Sequence, residues 1–166
     1  MSLSLRRLQA RDLPAVMRLQ AQAYPDLCES ENAIASRLQQ APSWCWVAEG
    51  GDDIAAYLLS HPWRHTAPPA WNAPLPRLPA HGTRFYIHDL ALGPAARGNG
   101  LARRLIQHVL QEAQRARFHE VQLVAVQGST GFWQRLGFHV LPLQDEKLRQ
   151  KLASYGDDAR LMGRQL

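Results

Sequence analysis

The chain has 166 residues, enough for one domain with a substantial core and too few for two ordinary ones. Its composition, 46% hydrophobic and 20% charged, excludes a disordered or fibrous protein. A net charge of +5, carried mostly by arginine, favours an anionic partner such as phosphate, nucleic acid or an acidic surface without choosing among them.

Nothing like 18 consecutive apolar residues occurs, and the start, Met1 to Arg7, lacks the apolar stretch of a signal peptide. A cytoplasmic protein with no membrane partner is expected. Cys28 and Cys45 have no paired spacing and no histidine at metal-ligand distance in sequence, so neither a disulfide nor a metal is expected.

Leu3 to Leu8 alternates loosely as a first strand, and Asp12-Leu13-Pro14 reads as a capped helix start, with Val16, Leu19 and Ala23 as its apolar stripe. A second helix starts near Ser30 and stops before Pro42. The runs Trp44 to Glu49 and Ile54 to Leu59 flank Gly50-Gly51-Asp52-Asp53, a hairpin signal. From His61 to Thr83, prolines at 62, 68, 69, 74, 76 and 79 fall among Trp63, His65, Trp71 and His81, which predicts a long loop packed on the body.

Phe85 to Leu92 is an almost continuously apolar run ending at Gly93-Pro94, as in a central strand covered on both faces. Beyond it, Leu101, Leu105, Val109 and Ala113 form one apolar row, with Ala102, Ile106 and Leu110 beside it, which predicts an amphipathic helix of about five turns. Val121 to Val126 reads as a further buried strand, followed by a short helical segment around Thr130 to Leu136. Phe138 to Leu141 and Ala159 to Leu166 are the last strand candidates.

The turn between the central strand and the long helix carries the strongest chemical signal: Arg97-Gly98-Asn99-Gly100-Leu101-Ala102. The first N–H groups of a helix have no partner inside it, and the macrodipole adds partial positive charge, so an anion fits there. Glycines at 98 and 100 let a phosphate approach the main chain, and Ala102 lets the helix pack closely. The bare pattern arises by chance in about one chain in six of this length, so its weight comes from the strand before it and the helix after it.

With the turn, the strand Val121 to Val126 and the segment Phe132-Trp133-Gln134-Arg135-Leu136-Gly137-Phe138, the stretch from Tyr86 to Phe138 resembles the GNAT superfamily of N-acetyltransferases. The resemblance implies a single GNAT-like α/β domain over residues 1–166. Its central, mostly antiparallel six- to seven-stranded sheet would be splayed in a V and flanked by about four helices. It implies acetyl-CoA as co-substrate, with pantetheine pairing along Leu90, Ala91 and Leu92, and the pyrophosphate on the backbone of Gly98 to Arg103. Arg103 and Arg104 would help form a basic surface for the nucleotide 3'-phosphate.

Moving an acyl group to an amine requires a neutral nucleophile and a base to take its proton. His88 and Asp89 interrupt the apolar strand, and alternation sends them to opposite faces. Aligned on Arg97, His88 falls where spermidine/spermine acetyltransferases carry a glutamate proposed as base, and histidine can do that work at neutral pH. Asp89 is expected to anchor neighbouring backbone. Trp133 stands where the family's tyrosine commonly serves as acid; its indole N–H can hydrogen-bond a sulfur but cannot deliver a proton near neutral pH. Glu29 and Glu31 lie where the family shapes the acceptor site, and Trp63, His65 and Trp71 are candidates for an acceptor wall.

The expected partner is a small-molecule or peptide amine, with a homodimer possible. One alternative keeps the fold as an acyl-CoA-binding sensor with weak catalysis. Nucleic-acid binding through Arg103, Arg104, Arg115 and Arg117 is disfavoured because the aromatic residues do not alternate with those arginines.

Overall fold

The structure is a computed structural model that describes residues 2–78 and 84–166; Pro79 and His81 of the proline-rich segment lie outside the described residues. One sheet of seven strands organises the chain, in the order β1-β2-β3-β4-β5-β7-β6. Its strands are β1 (Ser4–Arg7), β2 (Cys45–Gly50), β3 (Asp53–Trp63), β4 (Arg84–Leu92), β5 (Glu120–Ala125), β6 (His139–Val140) and β7 (Arg160–Gln165). The helices are α1 (Leu13–Ala23), α2 (Glu31–Gln40), α3 (Leu101–Arg115), α4 (Thr130–Gln134) and α5 (Glu146–Ala153).

Alternation along the strands builds two cores. Trp46, Ala48, Leu58, Phe85 and Ile87 face α3, whose Leu101, Leu105, Ile106, Val109 and Leu110 cover them. Cys45, Val47, Tyr57, Leu59 and Ala91 face the other way, toward Val16 and Leu19 of α1 and Ile34 of α2. Each such side chain, taken fully out of water, contributes roughly 1.5–3 kcal/mol before entropy is counted. Both cysteines are free, Cys45 buried and Cys28 exposed. Among the described residues no helix is long and apolar enough to cross a membrane.

Several local expectations hold. Ser30 caps α2, its Oγ accepting from the Ala33 N–H at 3.2 Å. Gly51, with φ +65°, turns the β2–β3 hairpin. Three expectations change. Asp12 does not cap α1: its carboxylate accepts from the Gln9 N–H at 2.7 Å and from Arg6, closing a preceding 3-10 turn. Strand β3 runs on through His61 and Pro62 to Trp63. β2 pairs only as far as Leu59, so Pro62 keeps its β4 neighbour and misses no bond toward β2. Helix α5 is not among the expected elements, although Asp145 caps it by accepting from the Leu148 N–H at 2.8 Å.

Two features of β4 position the site. Its pairing with β5 is parallel and stops at Ile87↔Leu123. Beyond that point β4 continues beside β3 and β5 beside β7, so the sheet opens as a V. In the β3–β4 ladder, Leu59 faces Asp89 while Ser60 faces Ile87, which leaves His88 as the extra residue of a β-bulge. The bulge resets the alternation. Phe85 and Ile87 share the α3 face with Leu90 and Leu92, whereas Ala91 joins the α1–α2 core. His88 and Asp89 consequently both lie toward that second side, correcting the opposite-face expectation.

Candidate active site

The cleft begins at the glycine turn. Gly98 and Gly100 have φ of +79° and +80°, which L side chains rarely adopt, and a Cβ built on either meets nothing within 4 Å. Open space therefore lies outside the turn. Gly100 is the N-cap of the 15-residue α3, whose first-turn N–H groups have no partner inside the helix. Asn99 Oδ1 accepts from the Leu101 N–H at 3.2 Å, and Arg97 Nε donates to the Leu92 carbonyl at 3.3 Å, tying the turn to the end of β4. Ala102 is half-buried, while Arg103 and Arg104 are exposed. These features fit a pyrophosphate.

The turn leads along the edge of β4 that faces the V. Leu90, Ala91 and Leu92 pair with Leu58, Tyr57 and Ala56 of β3 on their other edge. Tyr24, at the end of α1, donates to the Leu90 carbonyl at 2.6 Å, a contact with no signal in the sequence.

The closed end of the cleft is lined by Tyr24, Glu29, Trp71, His88, Trp133 and Tyr155 among others. His88 Nε2 lies 2.5 Å from Glu29 Oε1, and the side chains are 1% and 5% exposed. Glu29 Oε2 accepts from the Asn72 N–H at 2.8 Å and lies 3.9 Å from Nη1 of the fully buried Arg37. Gln20 clamps the Glu29 backbone at both its N–H and its carbonyl. Burial alone would raise the Glu29 pKa, but His88, Arg37 and the Asn72 N–H outweigh it and hold the carboxyl down at about 2.

Burial, and then the charge of Arg37, push the His88 pKa below its usual value, with Glu29 opposing. A neutral imidazole beside an ionised carboxylate must carry its proton on Nε2 and donate it to Glu29. Nδ1 then holds the lone pair, and it is buried without a hydrogen-bond partner among the described residues.

Asp89 occupies the neighbouring position. Burial raises its carboxyl to about 7, although Tyr57 donates to its Oδ2 at 2.5 Å. Burial and the Asp89 charge in turn push the Tyr57 hydroxyl well above its ordinary value, so Tyr57 remains a donor.

The proline-rich segment serves this end of the cleft. Asn72, at φ +54°, gives its N–H to Glu29 and accepts from the Ser30 N–H at 2.6 Å through Oδ1. The Pro69 carbonyl accepts from the Tyr155 hydroxyl. Trp71 reaches the cleft wall. Trp63 does not line the cleft: it is 4% exposed, donates to the Ala67 carbonyl at 2.9 Å and packs with Leu75 and Tyr86. Glu31 lies exposed on the first turn of α2, away from the lining, and Glu29 is spent on His88, Asn72 and Arg37. Trp133 does line the cleft, packed edge-on against Phe132 and Phe138.

Residues 6–138 match the Acetyltransferase (GNAT) family. The chain belongs to the GNAT family. As a GNAT acetyltransferase it carries out acyl transfer from coenzyme A, and its seven-stranded splayed sheet is the expected GNAT-like fold. No curated protein matches its sequence. Among solved structures, this GNAT chain is similar to the loading GNATL domain of CurA from Lyngbya majuscula, at 16% identity and TM-score 0.79, covering 99% of this chain and 98% of that one. It is also similar to Ard1 from Thermoplasma volcanium, at 16% identity and TM-score 0.76, covering 100% and 99%. Naa50 from Arabidopsis thaliana, solved with a bisubstrate analogue, is similar at 16% identity and TM-score 0.71 over 100% of both chains. At such identities the likeness is one of fold.

Proposed function

We propose that the chain moves an acetyl group from acetyl-CoA to a primary amine, with His88 as the base that takes the amine's proton. The observation that carries this reading is the Glu29–His88 pair in the closed end of the cleft, with Nδ1 of a neutral imidazole left without a partner among the described residues. The whole chain, residues 1–166, would act as one domain.

In this reading the thioester supplies an activated acyl carbon, and the residues of the chain do the rest. The Gly98–Arg103 backbone holds the pyrophosphate, and the free edge of Leu90 to Leu92 aligns pantetheine so that the reacting end reaches His88. Glu29 fixes the imidazole tautomer by accepting from Nε2, which turns Nδ1 into the proton acceptor. The amine nitrogen forms its bond to the acyl carbon, the carbon–sulfur bond breaks, and one amine proton passes to Nδ1, directly or through a water. Coenzyme A departs as thiolate. Trp133 provides at most an N–H hydrogen bond to the sulfur, because an indole has no proton to release near neutral pH. The lowered His88 pKa keeps the base neutral at and somewhat below neutral pH, so activity is expected to fall only in acid. The exposed arginines Arg103 and Arg104 are assigned to the nucleotide, not to nucleic acid.

The test is an assay of free thiol release from acetyl-CoA with a panel of amines, comparing the native chain with His88→Ala. Loss of the base is expected to lower kcat by about 10²–10⁴-fold with acetyl-CoA affinity nearly unchanged. Equal turnover in the variant would reduce His88 to packing. Acetyl-CoA binding with no turnover on any amine would favour the sensor.

A further inference from the structure

A second cavity, about 260 Å³, lies beside the catalytic cleft, walled by the proline-rich segment, the end of β3, α2 and α5. Roughly eight waters would fill it at their liquid volume, so it has room for a small organic molecule. Its walls are apolar at Trp63, Pro69 and Leu75 and cationic at Arg37 and Lys151, and among the described residues no acidic side chain lines it.

Arg37 is the unusual member. It is completely buried, and its Nη1 is spent on the Ala33 and Ala73 carbonyls at 2.8 and 3.4 Å. Its Nε and Nη2 are buried with no hydrogen-bond partner among the described residues. Those two atoms form one edge of the guanidinium fork, the edge that takes a carboxylate by two parallel N–H···O bonds. Buried donors left unmade are costly, and a charged group even more so, which makes a ligand for that edge the economical explanation. Glu29 does not meet this need, since it approaches Nη1 and only to 3.9 Å.

We propose that this cavity binds a small organic monocarboxylate, its carboxylate on the Nε–Nη2 edge of Arg37 and its short apolar body against Trp63 and Leu75. Lys151, half-buried at the wall, supplies the remaining positive field. Because Arg37 also faces Glu29, the occupant shares a cation with the carboxylate that orients His88. A ligand here therefore changes the rate of acetyl transfer from outside the cleft; that consequence rests on the proposed role of His88, while binding does not.

Calorimetric titration of the native chain with sodium propionate and sodium benzoate, without acetyl-CoA and at matched ionic strength, reads binding independently of any acetyl transfer. Saturable binding is expected, weakened about tenfold or more by Lys151→Glu, a charge reversal outside the catalytic cleft. Arg37→Gln is expected to abolish binding, and Lys151→Glu keeps the test open if that variant fails to fold. At a benzoate concentration that just saturates the native site, kcat should change several-fold in the native chain and by a clearly smaller factor in Lys151→Glu. Absence of binding by either acid, or an affinity that Lys151→Glu leaves unchanged, would overturn the site. Binding with an unchanged kcat would overturn its link to His88.

Discussion

At one end of the cleft the chain offers backbone, and at the other it offers buried charge. The turn from Arg97 to Ala102 is exposed as far as Gly100, spans consecutive residues and depends on two left-handed glycines and the free N–H groups of one helix. The Glu29–His88 pair is almost wholly buried and draws on α1, α2, the proline-rich segment and the bulge of β4, through Gln20, Arg37 and Asn72. A local backbone device tolerates change gradually, because each residue contributes separately. A buried charge network does not, since removing one member leaves its partners desolvated and unpaired.

The largest effect on stability should follow from Glu29→Gln. The variant preserves shape while leaving Arg37 without a counter-charge, so stability is expected to fall by about 3–5 kcal/mol and kcat by about 10²-fold. Urea unfolding and steady-state kinetics check the two parts, and a variant with native stability would mean that the network is no more demanding than the turn. The depressed Glu29 pKa adds a pH signature. Its folded value near 2 lies below the ordinary 4.5, so its contribution is present above about 4.5 and is lost as the pH falls toward 2.

Asp89→Asn sharpens the contrast with the opposite sign. Asp89 has its folded pKa raised from 3.8 to about 7, so between those values the folded chain holds a proton that the unfolded chain has lost. That group's contribution then declines as the pH rises, by up to roughly 1.4 kcal/mol per unit. An uncharged amide at this position should remove the decline, so the variant gains on the native chain from about pH 4 to 7 and keeps a constant lead above. Unfolding curves at about pH 5 and 8 that differ by the same amount would contradict the buried charge.

At the turn, Gly100→Asp is expected to weaken acetyl-CoA binding by about tenfold, through backbone strain and a carboxylate beside the pyrophosphate, while changing stability by only about 1–2 kcal/mol. Calorimetry reads the affinity, and an unchanged value would remove the pyrophosphate from the turn. The smallest effect belongs to Trp133→Tyr, which restores the family's usual acid in a wall already packed by Phe132 and Phe138. A change in kcat within about threefold is expected, because a thiolate leaves without help; a much larger gain would show that proton delivery limits the native chain.

The sequence reaches further at the turn than at the base for a physical reason. Gly98 and Gly100 stand between a buried strand and an amphipathic helix, and all three signals are local. His88 stands out as an interruption of an apolar run, but its partner Glu29 lies 59 positions earlier and reads as a solvated helix start. The bulge that brings His88 and Asp89 to one side leaves no mark in the periodicity of β4. In sequence Arg37 looks like an ordinary polar residue of α2 and Asn72 like loop filler, and Tyr155 follows a helix that is not among the expected elements.

By itself the sequence determined the order of the strands and of the first four helices, the two-faced cover of the central strands and the glycine turn, because strand and helix periodicity and left-handed backbone are properties of neighbours along the chain. Only the tertiary structure decided that Glu29 binds His88 instead of facing solvent, that Trp71 and not Trp63 walls the cleft, and that Arg37 is buried beside a second cavity. These depend on desolvation and on contacts between distant segments, and the free energy of a charge is set by what surrounds it in space.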